Sequence, residues 1–351
     1  ISLYGNTSVK PASTLKVGIL GASGYTGAEL LRLCAQHPHL DVVYATGDSQ
    51  AGTLACNLYP SLVAEYPNLV FDEFDASKIS GLDVVFLGLP HEASLEIAPS
   101  LVGRVEHVID LSAAFRLTNA SLYPTWYGFE HQRPDLLAEA VYGLPELYRD
   151  DLRGARLIAT PGCYVTAASL ALTPLVRGGL IEPTGVIVDA ASGVSGAGRA
   201  PKQTSHFSTV NEDFTAYGLL DHRHTPEIEQ VTGAQVLFTP HLAPMNRGIL
   251  ATCYARPVGA VSTSSLLAAL ARSYANEPFI VVRPTSPSTK ATLGSNAVHL
   301  TARFDERTGY VMVIAALDNI CKGASGGAVQ ALNAARSWDE TLGLSRVGVY
   351  P

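Results

Sequence analysis

Apolar positions along the chain fall into short runs, each closed by glycine, proline or a charge. The runs change character near residue 163. Residues 16–20 form a short apolar strand that ends at Gly21. From 26 to 37 the spacing of Leu30, Leu31 and Cys34 predicts a helix, which Pro38 closes. Residues 41–46, 83–89, 105–111 and 156–160 read as further strands, and a helix starts near Glu92. Short strands alternating with helices predict a parallel sheet wound on both faces. Beyond Cys163 a helix runs to Gly178 and Gly179. Longer strands then follow at 185–190, 235–241, 248–256, 279–283, 298–304 and 310–316. Many strands around few helices predict an α+β second domain. The last strand leads into Gly323-Ala-Ser-Gly-Gly327 and a helix through Trp338. The expected division is 1–162 for the first domain and 163–322 for the second, with 323–351 packing back on the first.

Composition narrows this picture. A length of 351 residues fits about two domains. Apolar residues are 47% and charged ones 16%, which excludes disorder as the main state. A net charge of −7 lacks the basic footprint of a nucleic-acid or anionic-membrane binder. Residues 157–176 carry no charge over one bilayer-crossing length, but Pro161-Gly162 and Pro174 break the run. A buried strand followed by a core helix explains it better. Residues 1–14 are polar and turn-rich, with no signal-peptide pattern, and read as a loose leader. The five cysteines are odd in number and widely spaced, without a CxxC pair. A disulfide framework and a structural zinc site are not expected; a reducing, cytoplasmic compartment is.

The first motif is Gly21-Ala-Ser23-Gly24-Tyr25-Thr26-Gly27, placed between the first strand and the first helix. Glycines there permit a tight turn and let backbone N–H groups approach a pyrophosphate at a helix N-terminus. The alternative is a tight turn with packing glycines, and the placement argues against it. An NAD site usually carries Asp or Glu at the tip of the second strand. Here the tip reads Ala45-Thr46-Gly47, with Asp48 and Ser49 beyond, which favours NADP(H) with Thr46 and Ser49 on the 2′-phosphate. Gly88-Leu-Pro90 ends another strand where the nucleotide should cross.

The second motif is Thr160-Pro-Gly-Cys163, where a strand meets a helix. A thiol at a helix start is favoured as thiolate, and nearby N–H groups can hold an oxyanion. Cys34 and Cys253 lie inside regular elements and read as core, Cys56 lies in a loop, and Cys321 sits beside Asn319 and Lys322. Asp221-His222-Arg223-His224 supplies an acid or base, and the residues alone do not choose between the two histidines. No ligand spacing supports a metal. Ser192-Gly193-Val-Ser-Gly196-Ala-Gly-Arg199-Ala-Pro-Lys202 follows a strand and suits close approach to a flat ring or an anion. Ser112 and Arg116 end one strand, Arg247 lies in a turn, and Asn319 ends a strand where it could face the cofactor. A cofactor loop, an activated thiol, a base and several arginines describe thiolate attack on an acyl phosphate, phosphate departure and hydride reduction of the thioester.

The set GASGYTGAEL (21–30), GLPHEAS (88–94), DLSAAFRL (110–117), YGLPEL (142–147), TPGCYVTA (160–167), SGVSGAGR (192–199), HRHTPEI (222–228), PHLAPMNRGI (240–249) and DNICKGASGGA (318–328) spans nearly the whole chain. It resembles the N-acetyl-gamma-glutamyl-phosphate reductase family of the aspartate-semialdehyde dehydrogenase-like superfamily. The resemblance implies a Rossmann-type doubly wound sheet plus an α+β catalytic and dimerisation domain. It also implies Cys163 as nucleophile, His222 as acid/base, NADP in the first domain and nicotinamide over Gly193 to Gly196. The implied substrate is a small acyl phosphate of arginine biosynthesis, and the implied assembly is a homo-oligomer (dimer or tetramer) joined through the second domain. Ser112, Arg116, Arg199, Lys202, His224 and Arg247 would hold substrate. Ala114 stands where the family often has Asp, and Gly327 where it often has Gln. A related dehydrogenase acting on an aspartyl or aminoadipyl phosphate is the alternative. A cysteine hydrolase and a non-catalytic NADP sensor fit the two motifs less well.

Overall fold

The computed structural model describes residues 14–351, so all but Thr14 of the expected leader lies outside the described residues. In chain order the strands are β1 (Leu15–Leu20), β2 (Leu40–Ala45), β3 (Val84–Leu87), β4 (His107–Asp110), β5 (Val141–Tyr142), β6 (Leu157–Ala159), β7 (Val186–Gly193), β8 (Thr215–Ala216), β9 (Val236–Ala243), β10 (Ile249–Ala255), β11 (Ile280–Val282), β12 (Val298–Asp305) and β13 (Tyr310–Leu317). The helices of eight residues or more are α1 (Tyr25–Gln36), α2 (His91–Leu101), α3 (Pro145–Leu152), α4 (Cys163–Arg177), α5 (Thr225–Thr232), α6 (Thr263–Ser273) and α7 (Gly326–Ala335).

The described chain forms two compact units. The first holds a six-stranded sheet in the order β2-β1-β3-β4-β6-β5, with every pairing parallel. β3 and β4 are buried along their whole length, as a sheet covered on both faces requires. The order reverses between β1 and β3, and that switch point is where open α/β sheets bind ligands beyond their carboxyl ends. α7 belongs to this unit and packs on α1, α3 and β4. All ten of its residues are buried, so its two polar side chains must find partners inside. Gln330 Nε2 donates to Glu146 Oε1 at 3.0 Å and to Glu340 Oε2 at 2.9 Å. Asn333 Nδ2 donates to the Glu340 and Leu342 carbonyls, and its Oδ1 lies 3.0 Å from His37 Nε2.

The second unit holds a seven-stranded mixed sheet in the order β11-β12-β13-β10-β7-β9-β8. Only β11/β12 and β7/β9 pair parallel. α4 packs on β7, β10 and β13, and α6 packs on β11, β12 and α4. Burial alternates along β10 from Ile249 to Ala255, the period-2 signature of a sheet with one deeply covered face.

The chain crosses between the units more often than the expected 1–162, 163–322 and returning 323–351. Residues 117–134 group with the second unit. The Thr118 amide and hydroxyl both donate to Gln230 Oε1, and the Tyr127 hydroxyl donates to the Arg223 carbonyl. Residues 345–351 also join the second unit rather than following α7. Asn296 N–H donates to the Ser345 carbonyl and Val349 N–H to that of Leu293. The last helix ends at Ala335, not Trp338, and Ser337 takes a φ of 54°.

Pro174 does not interrupt α4, which runs through it to Arg177. Proline has no N–H, so the Leu170 carbonyl one turn earlier loses its helical donor. The buried Tyr274 hydroxyl replaces it at 2.7 Å. Y274F should therefore destabilise the fold by about 1–3 kcal/mol, the cost of a buried carbonyl left without its donor. Urea unfolding followed by circular dichroism checks this, and an unchanged midpoint would show that the carbonyl finds another donor.

Candidate active site

In the first unit, the end of β1 turns so tightly that only glycine fits. Gly21 has a φ of +85°, and a Cβ on it would overlap the Gly88 carbonyl, with that carbon at 2.8 Å. A Cβ on Gly27 would overlap the backbone of Ala22. Three hydrogen bonds tie the loop to the tip of β2. Ala22 N–H donates to the Thr46 carbonyl at 2.7 Å, Gly21 N–H to Thr46 Oγ1 at 3.0 Å, and Ser23 Oγ to the Gly47 carbonyl at 2.9 Å. Gly88 N–H donates to the Leu20 carbonyl, and Pro90 caps α2. α1 starts after Gly24 without a side-chain cap. A cradle that any Cβ would fill, at an uncapped helix N-terminus and a topological switch point, fits a dinucleotide pyrophosphate.

Tyr25 and Ser49 are exposed and Thr26 is half-buried, whereas Ser23 and Thr46 are buried. Thr46 Oγ1 accepts from the loop amide and keeps its hydroxyl proton to donate. Asp48 is exposed, in a left-handed turn with a φ of 47°. Ser112 Oγ donates to Asp110 Oδ2 at 2.8 Å, and burial raises the Asp110 carboxyl above the usual range. Arg116 is buried and donates Nε to the Thr160 carbonyl at 2.6 Å and Nη2 to that of Leu111 at 2.8 Å. Both of these expected substrate ligands thus hold hydrogen bonds to groups at strand ends.

In the second unit, Cys163 is the first residue of α4, with Gly162 as the N-cap. Cys163 is half-buried, while Cys34, Cys253 and Cys321 are fully buried. Burial pushes the Cys253 thiol up to about 12. Gly323, in a π-helical turn at Cys321–Ser325, lies so near that its Cβ would stand 2.8 Å from Cys163 Cβ. On another side, a Cβ on Gly162 would overlap the His224 ring, with Cδ2 and Cε1 at 2.7 Å. Gly162 N–H donates to Glu227 Oε1 at 3.0 Å, and Glu227 is wholly buried.

The two histidines have different surroundings. His222 Nδ1 accepts the His224 amide at 3.1 Å, which leaves the proton of the neutral ring on Nε2. Its ring lies edge-on to Tyr164, Tyr217, His224 and Phe238, at centroid distances of 4.8 to 5.8 Å. Tyr217 donates its hydroxyl to that of Tyr164 at 3.2 Å, and Tyr164 donates to the His241 carbonyl at 2.9 Å. Burial raises both phenols, Tyr217 to about 12, so they stay neutral. The sequence reading assigned no role to Glu227, Tyr164, Tyr217 or Gly323. Only Glu227 carried a signal, three residues after His224 at a helix start.

The loop at 192–198 is zipped to the turn at 245–248. Val194 N–H donates to the Met245 carbonyl, Ser195 N–H to that of Asn246, and Gly193 N–H to that of Gly248. A Cβ on Gly193 would lie 2.7 Å from the Asn246 carbonyl oxygen. Buried Ser192 donates to the Gly193 carbonyl, and Gly196 is exposed. Asn319, expected to face the cofactor, accepts from Gly248 N–H at 2.8 Å and donates to Ser195 Oγ at 3.1 Å. Arg247 Nη1 lies 3.5 Å from Asp318 Oδ2. Arg199 is half-buried at the loop's end, and Lys202 is exposed.

Comparison with known proteins now decides the family. Residues 16–155 match the semialdehyde dehydrogenase NAD binding domain, and residues 163–319 match the semialdehyde dehydrogenase dimerisation domain. The chain is 48% identical over 348 residues to N-acetyl-gamma-glutamyl-phosphate reductase of Symbiobacterium thermophilum, covering 96% of this chain and 100% of that one. It is 44% identical over 347 residues to the Magnetococcus marinus protein of the same name, covering 96% and 99%. The chain belongs to the semialdehyde dehydrogenase family, in its N-acetyl-gamma-glutamyl-phosphate reductase branch. Aspartate semialdehyde dehydrogenase II of Vibrio cholerae shares the fold of this family member at 16% identity, with a TM-score of 0.69 over 92% of this chain and 98% of that one. The Candida albicans aspartate semialdehyde dehydrogenase, solved with NADP, gives 0.66 at 16% identity over 93% and 99%. Residues 16–155 are thus the family's nicotinamide-dinucleotide domain.

Two measurements follow from this geometry. G21A forces a left-handed backbone onto alanine and a methyl onto Gly88. It should weaken dinucleotide binding at least tenfold by calorimetry, and parental affinity would refute the cradle. Burial holds His222 down at about 4, Arg223 adds in the same direction, and Asp221 opposes. The unfolded chain takes up this proton near 6.5 and the folded chain only near 4. Stability contributed by this group is therefore constant above that window and falls as pH drops through it. The parent should lose more stability than H222Q between about pH 7 and pH 4.5. Equal losses in the two proteins would contradict the buried neutral ring.

Proposed function

We propose that the chain reduces N-acetyl-gamma-glutamyl phosphate to N-acetyl-L-glutamate 5-semialdehyde and releases phosphate. The observation that carries this reading is Cys163: a half-buried thiol on the first residue of α4, beside Gly162 and the His224 ring. The partial positive charge at the start of α4 favours sulfur as an anion. The thiolate attacks the acyl carbon, and the C–O pair leaves with phosphate, giving a thioester on Cys163. When bound, the reduced nicotinamide supplies hydride to the thioester carbon. The oxygen of the resulting thiohemiacetal takes its proton from an imidazole, which takes that proton back as the C–S bond breaks to release aldehyde and thiolate. The first N–H groups of α4 are placed to hold that oxygen while it is charged.

We assign the proton role to His224 rather than His222. His224 packs on the residue that precedes the thiol, whereas His222 spends Nδ1 on the His224 amide and is walled by aromatic rings. His222 thereby holds its neighbour in place. Arg199, Lys202 and Arg247 remain the candidates for the phosphate and carboxylate groups. NADP(H) is the proposed cofactor, supported by a β2 tip without a carboxylate and by the exposed Ser49 hydroxyl. A homo-oligomer joined through the second unit is supported by half-buried Ile187, Leu250, Tyr254, Met312 and Ile314 on its sheet. A cytoplasmic, reducing setting is supported by five free cysteines. Among the described residues, no helix is long and apolar enough to cross a membrane.

C163S should lower turnover by about 10³-fold or more while keeping NADP binding, the pattern of a lost nucleophile. H224N should cost more in kcat than H222N, by about 10²-fold against about tenfold. The reverse order would return the role to His222. Phosphate-dependent reduction of NADP with N-acetylglutamate semialdehyde, compared with aspartate semialdehyde, tests the substrate. Preference for the aspartyl compound would move the assignment to the alternative dehydrogenase.

A further inference from the structure

We propose that the first turn of α5 is a clamp that sets where Cys163 sits, with Glu227 as its positioning residue. The proposal rests on the reading of Cys163 and His224 given above. Gly162 is held from two sides by that turn. Its N–H donates to Glu227 Oε1 at 3.0 Å, and its Cα faces the His224 ring, leaving no room for a Cβ. His224 is the N-cap of α5, and Glu227 lies three residues on, so both project from one side of the helix start. Gly162 is in turn the N-cap of α4, and Cys163 is the first helical residue. Whatever fixes the Gly162 backbone fixes the direction from which the thiol projects.

Two features separate this from ordinary packing. First, Glu227 is wholly buried, at a place where an apolar residue would fill space without the cost of desolvating a carboxylate. Its Oε1 is the acceptor of the buried Gly162 N–H, a partner that an apolar residue could not provide. Second, the turn that carries Glu227 is itself pinned. Pro226 presets its backbone, Ile228 N–H donates to the His224 carbonyl, and Thr232 Oγ1 donates to the Ile228 carbonyl. α5 also packs on α4 and β9. One short, rigid turn thereby sets both the imidazole and the glycine before the thiol, and so the spacing between base and nucleophile.

The test uses the full chain, assayed as phosphate-dependent NADP reduction by N-acetylglutamate semialdehyde, together with alkylation of Cys163 by iodoacetamide across pH. E227A should lower kcat by about 10²-fold, what a misplacement of order 1 Å costs, with KM nearly unchanged. It should also slow alkylation and flatten its dependence on pH. E227Q keeps an acceptor oxygen for Gly162 N–H and should recover kcat to within about fivefold of the parent. G162A leaves the carboxylate intact but drives a methyl into His224, so it should lower kcat in the same way. Should E227A not fold, E227Q and G162A carry the test. Parental kcat in E227A or G162A, or E227Q as damaged as E227A with a parental circular dichroism spectrum, overturns the clamp. Turnover retained in C163S would instead sink the reading of the thiol, and is distinguishable because it leaves the Glu227 variants unexplained by either idea.

Discussion

The amide of Gly162 is buried at the start of a helix, where no earlier turn supplies an acceptor, and a buried amide must find one. Glu227 provides it, and much of the second unit follows from that pairing. Glycine is required because His224 occupies the space a side chain would take. α5 must lie beside α4 for the carboxylate to reach, and α4 is the helix on which β7, β10 and β13 rest. α4 is buried from Tyr164 through Thr173 without a break, so Cys163 is the one partly open residue in its first eleven. A half-buried thiol at the head of a buried stretch of helix is the outcome of packing, not an exception to it.

The same logic explains why several charged and amide side chains are bonded to backbone and loop groups. Asp318 is fully buried and gathers the N–H groups of Gly294, Ile320 and Cys321. Asn319 next to it joins the start of β10 to the loop after β7. Arg116 crosses the ends of strands in the first unit and collects two carbonyls. Loops at strand ends expose many backbone groups, and a long polar side chain is the cheapest way to satisfy them once water is excluded. A ligand-binding region needs these braces as much as it needs the groups that touch ligand, because the loops themselves carry no regular hydrogen bonding.

Much of this was legible in the chain itself. The parallel sheet, the glycine loop and the thiol at a strand-to-helix junction all follow from local periodicity, and local periodicity is what a sequence records best. The choice between His222 and His224 was not legible. Two residues apart, they share composition and charge context, and only the tertiary neighbours of each ring separate them. The bonds of Arg116 and Ser112 to strand ends were not legible, because a polar residue at a strand end looks the same whether it faces solvent or a carbonyl. Tyr164 and Tyr217 were missed because aromatics beside apolar runs are usually core. The excursion of 117–134 into the second unit rests on Thr118 meeting Gln230 across more than a hundred residues, a pairing no local pattern encodes.

α7 has a consequence for the order in which the chain can be made. It fills part of the core of the first unit, yet most of the second unit lies between it and the rest of the first along the chain. A ribosome releases residues 14–160 long before it releases α7, so the sheet of the first unit waits with one region of its apolar surface uncovered. The second unit, apart from its last few residues, is complete at that stage and can fold while the first is still open. The first unit therefore waits longer than the second for the last element of its core.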